Sequence, residues 1–418
     1  MRREWEKLDN AAKIYPSTQI KTDTHVFRYC CELYDDIDQD ILQAALEDTL
    51  ELYDIFQVTL KRGVFWYYLE DSDIIPIVRE EHSHVCAKLS DNYEKSLLLE
   101  VTYFGKRINL EMFHVLTDGT GAMNFLRTLV IKYLSIKMEV DEATLDYDAS
   151  QNQMLDDSYG KYYSGSKDWK REKAKAACQI TGAKYSDNRL RAITGRMSTA
   201  KVLEKAHEYG STLTVYLAAC LTYAIGDVLN VREKKKPLIL NLPVNLRKYF
   251  PSESIRNFFA TLFIPYNLTG NGETLDNITA AIKDQLEKNV TEENLAKILD
   301  GLSAAENNPI AKIVPLRIKD FFLRRFYIRN LKNYTATCSN VGIFNIPEIY
   351  KDHIRSFDVM IGTSKLHMCI CSYLDTLSIT FTTPFRSSDV ERQFFRLLTF
   401  AGIEVEIIAN EPSNQEVS

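Results

Sequence analysis

The residues best suited to chemistry in this chain are His114, Asp118 and Gly119. They lie in Phe113-His114-Val115-Leu116-Thr117-Asp118-Gly119-Thr120-Gly121. Histidine ordinarily titrates near neutrality, so it can accept a proton and give it back. The segment falls between a predicted strand ending at Phe113 and a predicted helix that continues to Leu134, a place where loops present functional side chains. Asp118 followed by Gly119 suits a tight turn into that helix, since glycine takes a backbone conformation that a Cβ would oppose. A plainer reading stands beside this one: Asp118 as a helix N-cap and nothing more, and His114 as a satisfied strand-end histidine. With 7 histidines in the chain, chance produces H-x-x-x-D-G about 0.02 times in such a sequence.

The elements that must position this segment belong to a large chain. Its 418 residues exceed one ordinary core and read as two or three domains. Hydrophobic residues at 45% and charged residues at 26% are globular values, which exclude a mostly disordered chain or a coiled-coil rod. Lys plus Arg number 51 against 57 for Asp plus Glu, a net charge of −6, so no global positive field attracts nucleic acid. Only 16 glycines argue against an architecture of many glycine-dependent phosphate loops. The start of the sequence lacks a signal-peptide apolar run, and no stretch of about 18 apolar residues suggests a transmembrane segment. The 8 cysteines show neither a C-x-x-C pair nor a disulfide framework. The expectation is a cytoplasmic protein with reduced, mostly buried thiols.

Periodicity predicts a strand over 25–33 and an amphipathic helix over 40–53. Hairpins are expected at 56–69 around Arg62-Gly63 and at 97–113 around Gly105-Lys106. A polar stretch from Asp141 to about Asp187, with weak helical character at 168–177, reads as a connection. Beyond Arg191 come helices at 198–205, 213–228, 274–288 and 389–403. Strands are expected at 237–242, 260–265, 335–343, 356–361, 365–372 and 377–382. Each half mixes strands and helices without a repeat, an α/β (α+β) pattern.

His114-x-x-x-Asp118-Gly119 resembles the active-site motif of the CoA-dependent acyltransferase superfamily, which includes chloramphenicol acetyltransferase, plant BAHD acyltransferases, carnitine acyltransferases and condensation domains. Asn241-Leu242-Pro243-Val244-Asn245-Leu246-Arg247 and Ile255-Arg256-Asn257-Phe258-Phe259-Ala260-Thr261-Leu262 resemble the condensation-domain arginine motif and the strand after it. Ser339-Asn340-Val341-Gly342 resembles a segment entering a late strand. Leu8-Asp9-Asn10-Ala11-Ala12-Lys13-Ile14-Tyr15-Pro16, with Phe65-Trp66-Tyr67-Tyr68, is similar to a bacterial alcohol acetyltransferase-like branch. The chain departs from the condensation pattern at Phe113, where that group has His, and at Arg256 and Ala260. The plant D-F-G-W-G motif is absent.

The resemblance implies two chloramphenicol acetyltransferase-like subdomains, 1–145 and 191–418, joined by 146–190. Each would be a mixed β-sheet flanked by helices, with an active-site tunnel between them. His114 would be the general base, Asp118 would pair with Arg247, and Ser339 or Asn340 would contact the oxyanion or substrate. The implied reaction moves an acyl group, acetyl foremost, from acetyl-CoA or another acyl-CoA co-substrate to an alcohol or amine, with no permanently bound cofactor and no covalent acyl-enzyme. An acyl carrier protein donor is the alternative within the same fold, and a non-catalytic binding relative is the alternative outside it.

Two further features stand apart. His82-x-His84-x-Cys86 and His367-x-Cys369-x-Cys371 place possible ligands on one strand face, but no fourth ligand or zinc spacing accompanies either, so no metal is expected. Lys312 to Lys332 is basic and apolar, with Arg317, Arg324, Arg325 and Arg329 among Phe321, Phe322 and Phe326. It reads as a half-buried helix with a solvated face, as a contact for CoA or carrier phosphates through Arg324 and Arg325, or as a peripheral membrane contact.

Overall fold

The computed structural model describes residues 5–143, 149–166, 176–269, 274–307 and 312–410. The strands are β1 (Trp5–Lys7), β2 (Val26–Leu33), β3 (Val58–Arg62), β4 (Tyr67–Asp71), β5 (Arg79–Glu80), β6 (Leu99–Phe104), β7 (Arg107–Phe113), β8 (Arg191–Ser198), β9 (Leu238–Asn245), β10 (Phe259–Tyr266), β11 (Ala336–Ile343), β12 (Ile354–Ile361), β13 (Leu366–Tyr373), β14 (Thr376–Thr383) and β15 (Glu406–Ala409). The helices are α1 (Tyr15–Thr18), α2 (Gln39–Leu52), α3 (Gly119–Met138), α4 (Gln151–Met154), α5 (Ser158–Tyr162), α6 (Thr199–Glu208), α7 (Leu213–Val228), α8 (Leu275–Asn289), α9 (Glu292–Asn307), α10 (Leu316–Asn330) and α11 (Asp389–Phe400).

Polar side chains set the helix starts. Asp38 accepts from the backbone N–H groups of Asp40 and Ile41, each at 3.0 Å, and opens α2. Ser198 does the same for α6 through Lys201 N–H at 3.2 Å. Each such cap satisfies donors that the first helical turn leaves orphaned. The β6–β7 hairpin turns at Gly105, whose φ of +54° lies in the left-handed region. The 56–69 hairpin differs from expectation. Its strands are β3 and β4, and Gly63 N–H bonds Trp66 O at 3.0 Å, so the turn runs through Val64 and Phe65.

Two sheets carry the architecture. The first has five strands in the order β12-β2-β7-β6-β5, and the second has seven, β10-β9-β11-β13-β14-β8-β15. A small third sheet, β1-β4-β3, flanks the first. Both large sheets are mixed: β5–β6, β9–β11 and β11–β13 are parallel, and the other neighbours are antiparallel. α2 and α3 pack on each other, with α3 against β2 of the first sheet, and Tyr53 and Phe56, just after α2, meet Phe125 of α3. α7, apolar on nearly every face, is buried beside α8 and α11 against the second. All eight cysteines are free and buried.

The sheets are not divided where the chain is. β12 comes from the second half yet pairs antiparallel with β2, completing the first sheet. A buried ion network ties this exchange down. Arg196 on β8 lies 2.6 Å from Asp358 on β12 and 2.7 Å from Glu32 on β2. On the opposite face of β12, Phe357 stacks on Phe344 at 4.1 Å. The described residues of the 146–190 stretch bond to the second half: Tyr159 in α5 donates to Phe259 O at 2.7 Å, and Ile255 N–H reaches Met154 O at 3.0 Å. Most of the helical character expected at 168–177 lies outside the described residues, and Ala176 and Ala177 are not helical.

Removing Arg196 would leave the Asp358 carboxylate buried without its cation, a loss on the order of 3–5 kcal/mol. Urea denaturation of Arg196→Ala is expected to show that loss with an unchanged m-value. A stability within 1 kcal/mol or so of the parent would show that the network does not hold the sheets together.

Candidate active site

His114 follows β7 directly, and its backbone N–H bonds His25 O at 2.8 Å. His25 has φ +52°, a left-handed conformation uncommon for a residue with a side chain, and it turns the chain into β2. The imidazole of His114 stacks on Tyr15 at 4.7 Å and meets Phe27 edge-on at 5.1 Å. Phe259, from the second half, closes a further side at 5.8 Å. The ring therefore stands between the halves, held by rings from both.

Its protonation pattern is fixed by Asn257. Asn257 Oδ1 lies 2.9 Å from His114 Nδ1. The amide nitrogen of Asn257 is already donating, to His114 O at 3.1 Å and to Asp9 Oδ2 at 2.9 Å. The oxygen must accept, so Nδ1 carries the hydrogen and Nε2 keeps its lone pair. Burial pushes the His114 pKa down to about 4, against an opposing pull from Asp118. The ring is neutral at physiological pH. Asp9, the anchor of Asn257, is itself pushed up to about 6 by burial, partly offset by Asn257, Ala12 and Arg256.

Asp118 does two jobs. Oδ1 caps α3 by accepting from Thr120 N–H at 3.0 Å and Gly121 N–H at 3.4 Å. Oδ2 crosses to the second half, where it accepts from Arg247 Nη1 at 2.6 Å and Phe258 N–H at 2.9 Å. Arg247 spends its other donors on Ser254 O, at 2.9 and 2.8 Å, and on Arg256 O. The guanidinium thus braces the 254–258 loop that carries Asn257.

The two glycines matter for closeness rather than for φ. Gly119 has no left-handed backbone, contrary to the turn expected from its sequence position. A Cβ there would sit 2.7 Å from the Tyr29 hydroxyl. Gly121 is tighter still, because a Cβ would collide with Thr117 Oγ1 and Ile255 O at the seam between the halves.

Ser339 and Asn340 part company. Ser339 Oγ lies 2.9 Å from His367 Nε2, on a buried face of β11 and β13. His367 is pushed down to about 3 by burial and by the proximity of His114, so it too is neutral. Asn340, one residue on, is exposed, donates to Thr214 Oγ1 at 2.9 Å and accepts from Gly342 N–H at 2.9 Å. Strand alternation sends the two side chains to opposite faces, and a bulge between Asn340 and Gly342 ends the regular register there.

His367, Cys369 and Cys371 form that buried strand face. His82, His84 and Cys86 do not share a strand, since β5 ends at Glu80. Among the described residues no cluster of His, Cys, Asp and Glu is arranged to hold a metal. A cavity of about 400 Å³ opens between Gln19–Thr24, the His84–Asp91 segment and Asp187–Leu190, with Arg324 on its wall. Arg325 is not part of that wall and lies over Phe321 at 5.7 Å.

The sequence assigned no catalytic role to Asn257 or Asp9, and marked His367 only as a possible metal ligand. Asn257 left one trace, an amide just before the apolar run Phe258-Phe259-Ala260 and inside the segment resembling a family motif. No family model matches the sequence, and no curated protein matches it. Solved structures do. Polyketide synthase associated protein 5 from Mycobacterium tuberculosis superposes with a TM-score of 0.65 at 15% identity, covering 95% of this chain and 98% of that one. Trichothecene 15-O-acetyltransferase from Fusarium sporotrichioides gives 0.61 at 11% identity, over 95% and 94%. The starter condensation domain of rhizomide synthetase, in complex with C8-CoA and Leu-SNAC, gives 0.58 at 12% identity, over 95% and 94%. The chain has the two-subdomain, chloramphenicol acetyltransferase-like fold of these proteins.

NMR of ring-labelled histidine tests the geometry directly. His114 is expected to remain the neutral Nδ1–H tautomer until the pH falls to about 4. Because the folded value lies below the ordinary one, its contribution to stability is complete above about pH 6.5 and is lost as the pH falls toward 4. A His114 titration near 6.5 would contradict the buried, Asn257-bonded ring.

Proposed function

We propose that this chain is an acyltransferase that moves an acyl group, acetyl foremost, from a CoA thioester to an alcohol, with His114 as general base. The observation that carries the reading is the His114 ring itself. It is neutral, it commits Nδ1 to Asn257 Oδ1 at 2.9 Å, and among the described residues its Nε2, at the seam between two halves, has no hydrogen-bond partner. Neighbours in fold include an O-acetyltransferase and a condensation domain crystallised with C8-CoA, which supports a thioester donor.

In the proposed reaction both substrates are held together, which removes much of the entropic barrier to their encounter. Nε2 takes the acceptor's hydroxyl proton as its oxygen attacks the thioester carbonyl. The carbonyl oxygen becomes an oxyanion, and the Ser339 hydroxyl is the proposed donor to it. The C–S bond then breaks, and His114 returns the proton to the departing CoA thiolate. Proton and acyl group balance with no covalent acyl-enzyme. As charge builds on the imidazole, Asp118 favours it, since its carboxylate already pulls the His114 pKa upward against burial.

His367 is a positioning residue in this scheme. When its neutral Nε2–H donates to Ser339 Oγ, the serine's own hydrogen is free to point at the substrate. The same chemistry serves a donor on an acyl carrier protein, and titrating a carrier-bound against a free CoA thioester separates the two.

Thiol release from acetyl-CoA with a panel of alcohols and amines is the assay. His114→Ala is expected to lower kcat by about 10²–10⁴-fold, and Ser339→Ala by about 10²-fold. With an acceptor that does not itself titrate, kcat/KM is expected to stay level down to about pH 5 and fall as the pH passes through about 4, where His114 becomes protonated. Full turnover in His114→Ala would remove the base assignment.

A further inference from the structure

We propose that the outer face of α10, with the adjoining β3–β4 turn, docks onto an anionic lipid bilayer. The inner face of α10 is fully engaged. Leu316 N–H bonds Val64 O at 2.9 Å, and Lys319 Nζ reaches Phe65 O at 2.8 Å while lying 3.4 Å over the Trp66 ring. Asp320 accepts from Ser17, Arg62 and Tyr67 at 2.7, 2.6 and 3.1 Å, and Tyr327 bonds Asp23. These bonds orient the helix and leave its other face to solvent.

That outer face is unlike an ordinary solvated one. Phe321 is 58% exposed and Phe322 63%, with Ile318 and Ile328 beside them. The apolar surface continues past the helix start to Ile313 at 71% and to Val64 at 72% on the β3–β4 turn. Scattered exposed apolar residues are normal, but a contiguous patch marks a contact surface. Arg317, Arg324, Arg325 and Arg329 are interleaved with it, and the helix carries a single carboxylate, Asp320, which is turned inward.

Apolar rings together with arginines fit an interface of acyl chains and anionic headgroups. The rings enter the acyl boundary while guanidinium groups reach phosphate oxygens. A 15-residue helix is about 22 Å long, enough to lie along such a plane. The chain as a whole is net −6, so the positive charge here is local. A second copy of the same face would bring like charges together, which disfavours self-association. An acidic carrier protein would satisfy the arginines but not the spread of exposed Phe and Ile. Among the described residues no single helix is long and apolar enough to cross a membrane, so the contact proposed is peripheral. It is also close to the site: Tyr327 on the inner face meets His25 at 5.3 Å, and His25 and His114 both pack on Tyr15.

Co-sedimentation of the full chain with phosphatidylcholine vesicles, with and without phosphatidylglycerol, tests this independently of turnover. Binding is expected with the anionic vesicles, weakly or not at all with the neutral ones, and it should decline as salt rises. Phe321→Glu with Phe322→Glu, and separately Arg325→Glu with Arg329→Glu, should each weaken binding at least about tenfold. All four side chains are exposed, so melting temperatures should stay near the parent's. Hydrogen exchange of the unmutated chain should slow at Gly63–Trp66 and along α10 when anionic vesicles are added. No sedimentation at low salt, or binding untouched by both double substitutions, would overturn the proposal. So would dimerisation through Phe321, or capture of an acidic carrier protein, by a chain that ignores vesicles.

Discussion

One carboxylate joins the halves of this molecule at the point where they must agree. Asp118 caps α3 of the first half with one oxygen and grips Arg247 and the Phe258 N–H of the second with the other. A buried ion pair of this kind adds little net stability, because desolvation offsets the Coulomb attraction. What it provides is geometry. Arg247 in turn holds the carbonyls of Ser254 and Arg256, so the loop that presents Asn257 is fixed by the same interaction. The position and the tautomer of His114 both descend from it. Gly119 and Gly121 belong to this arrangement, since any side chain at Gly121 would push Ile255 away and open the seam.

Burial has a cost and a use at His114, the proposed base. It pushes the His114 pKa well below neutrality, which weakens the base but keeps its lone pair available at every physiological pH. In the proposed reaction Asp118 would supply the counterweight as positive charge forms on the ring. Two neutral histidines, His114 and His367, then share one interior without mutual repulsion, and the second is free to orient Ser339.

The sequence made some of this legible for identifiable reasons. His114 and Asp118 stood out because their spacing coincides with a strand exit and a helix start, and helix ends are written locally by capping residues. α7 and the β6–β7 hairpin were readable from periodicity and one turn glycine. Other features depend on partners distant in the chain. Nothing local says that β12 leaves its own half to pair with β2. Asn257 acquires its role only because a segment 143 residues from His114 folds back onto it. The need for glycine at 119 was visible, but its cause, the Tyr29 hydroxyl, was not. Ser339 and Asn340 looked equivalent until strand register sent one inward and the other outward. The exposure of Phe321 and Phe322 is likewise a property of what α10 packs against, which composition does not reveal.

The most direct test of the account is a crystal structure of the chain with a thioether analogue of acetyl-CoA that cannot transfer its acyl group. The account predicts the analogue's carbonyl carbon beside His114, with room for an acceptor oxygen within about 3.2 Å of Nε2, the Ser339 hydroxyl facing the carbonyl oxygen, and the Asp118–Arg247 and His114–Asn257 bonds intact. An analogue bound elsewhere, with Nε2 sealed behind Tyr15 and Phe259 and out of reach of any carbonyl, would contradict it.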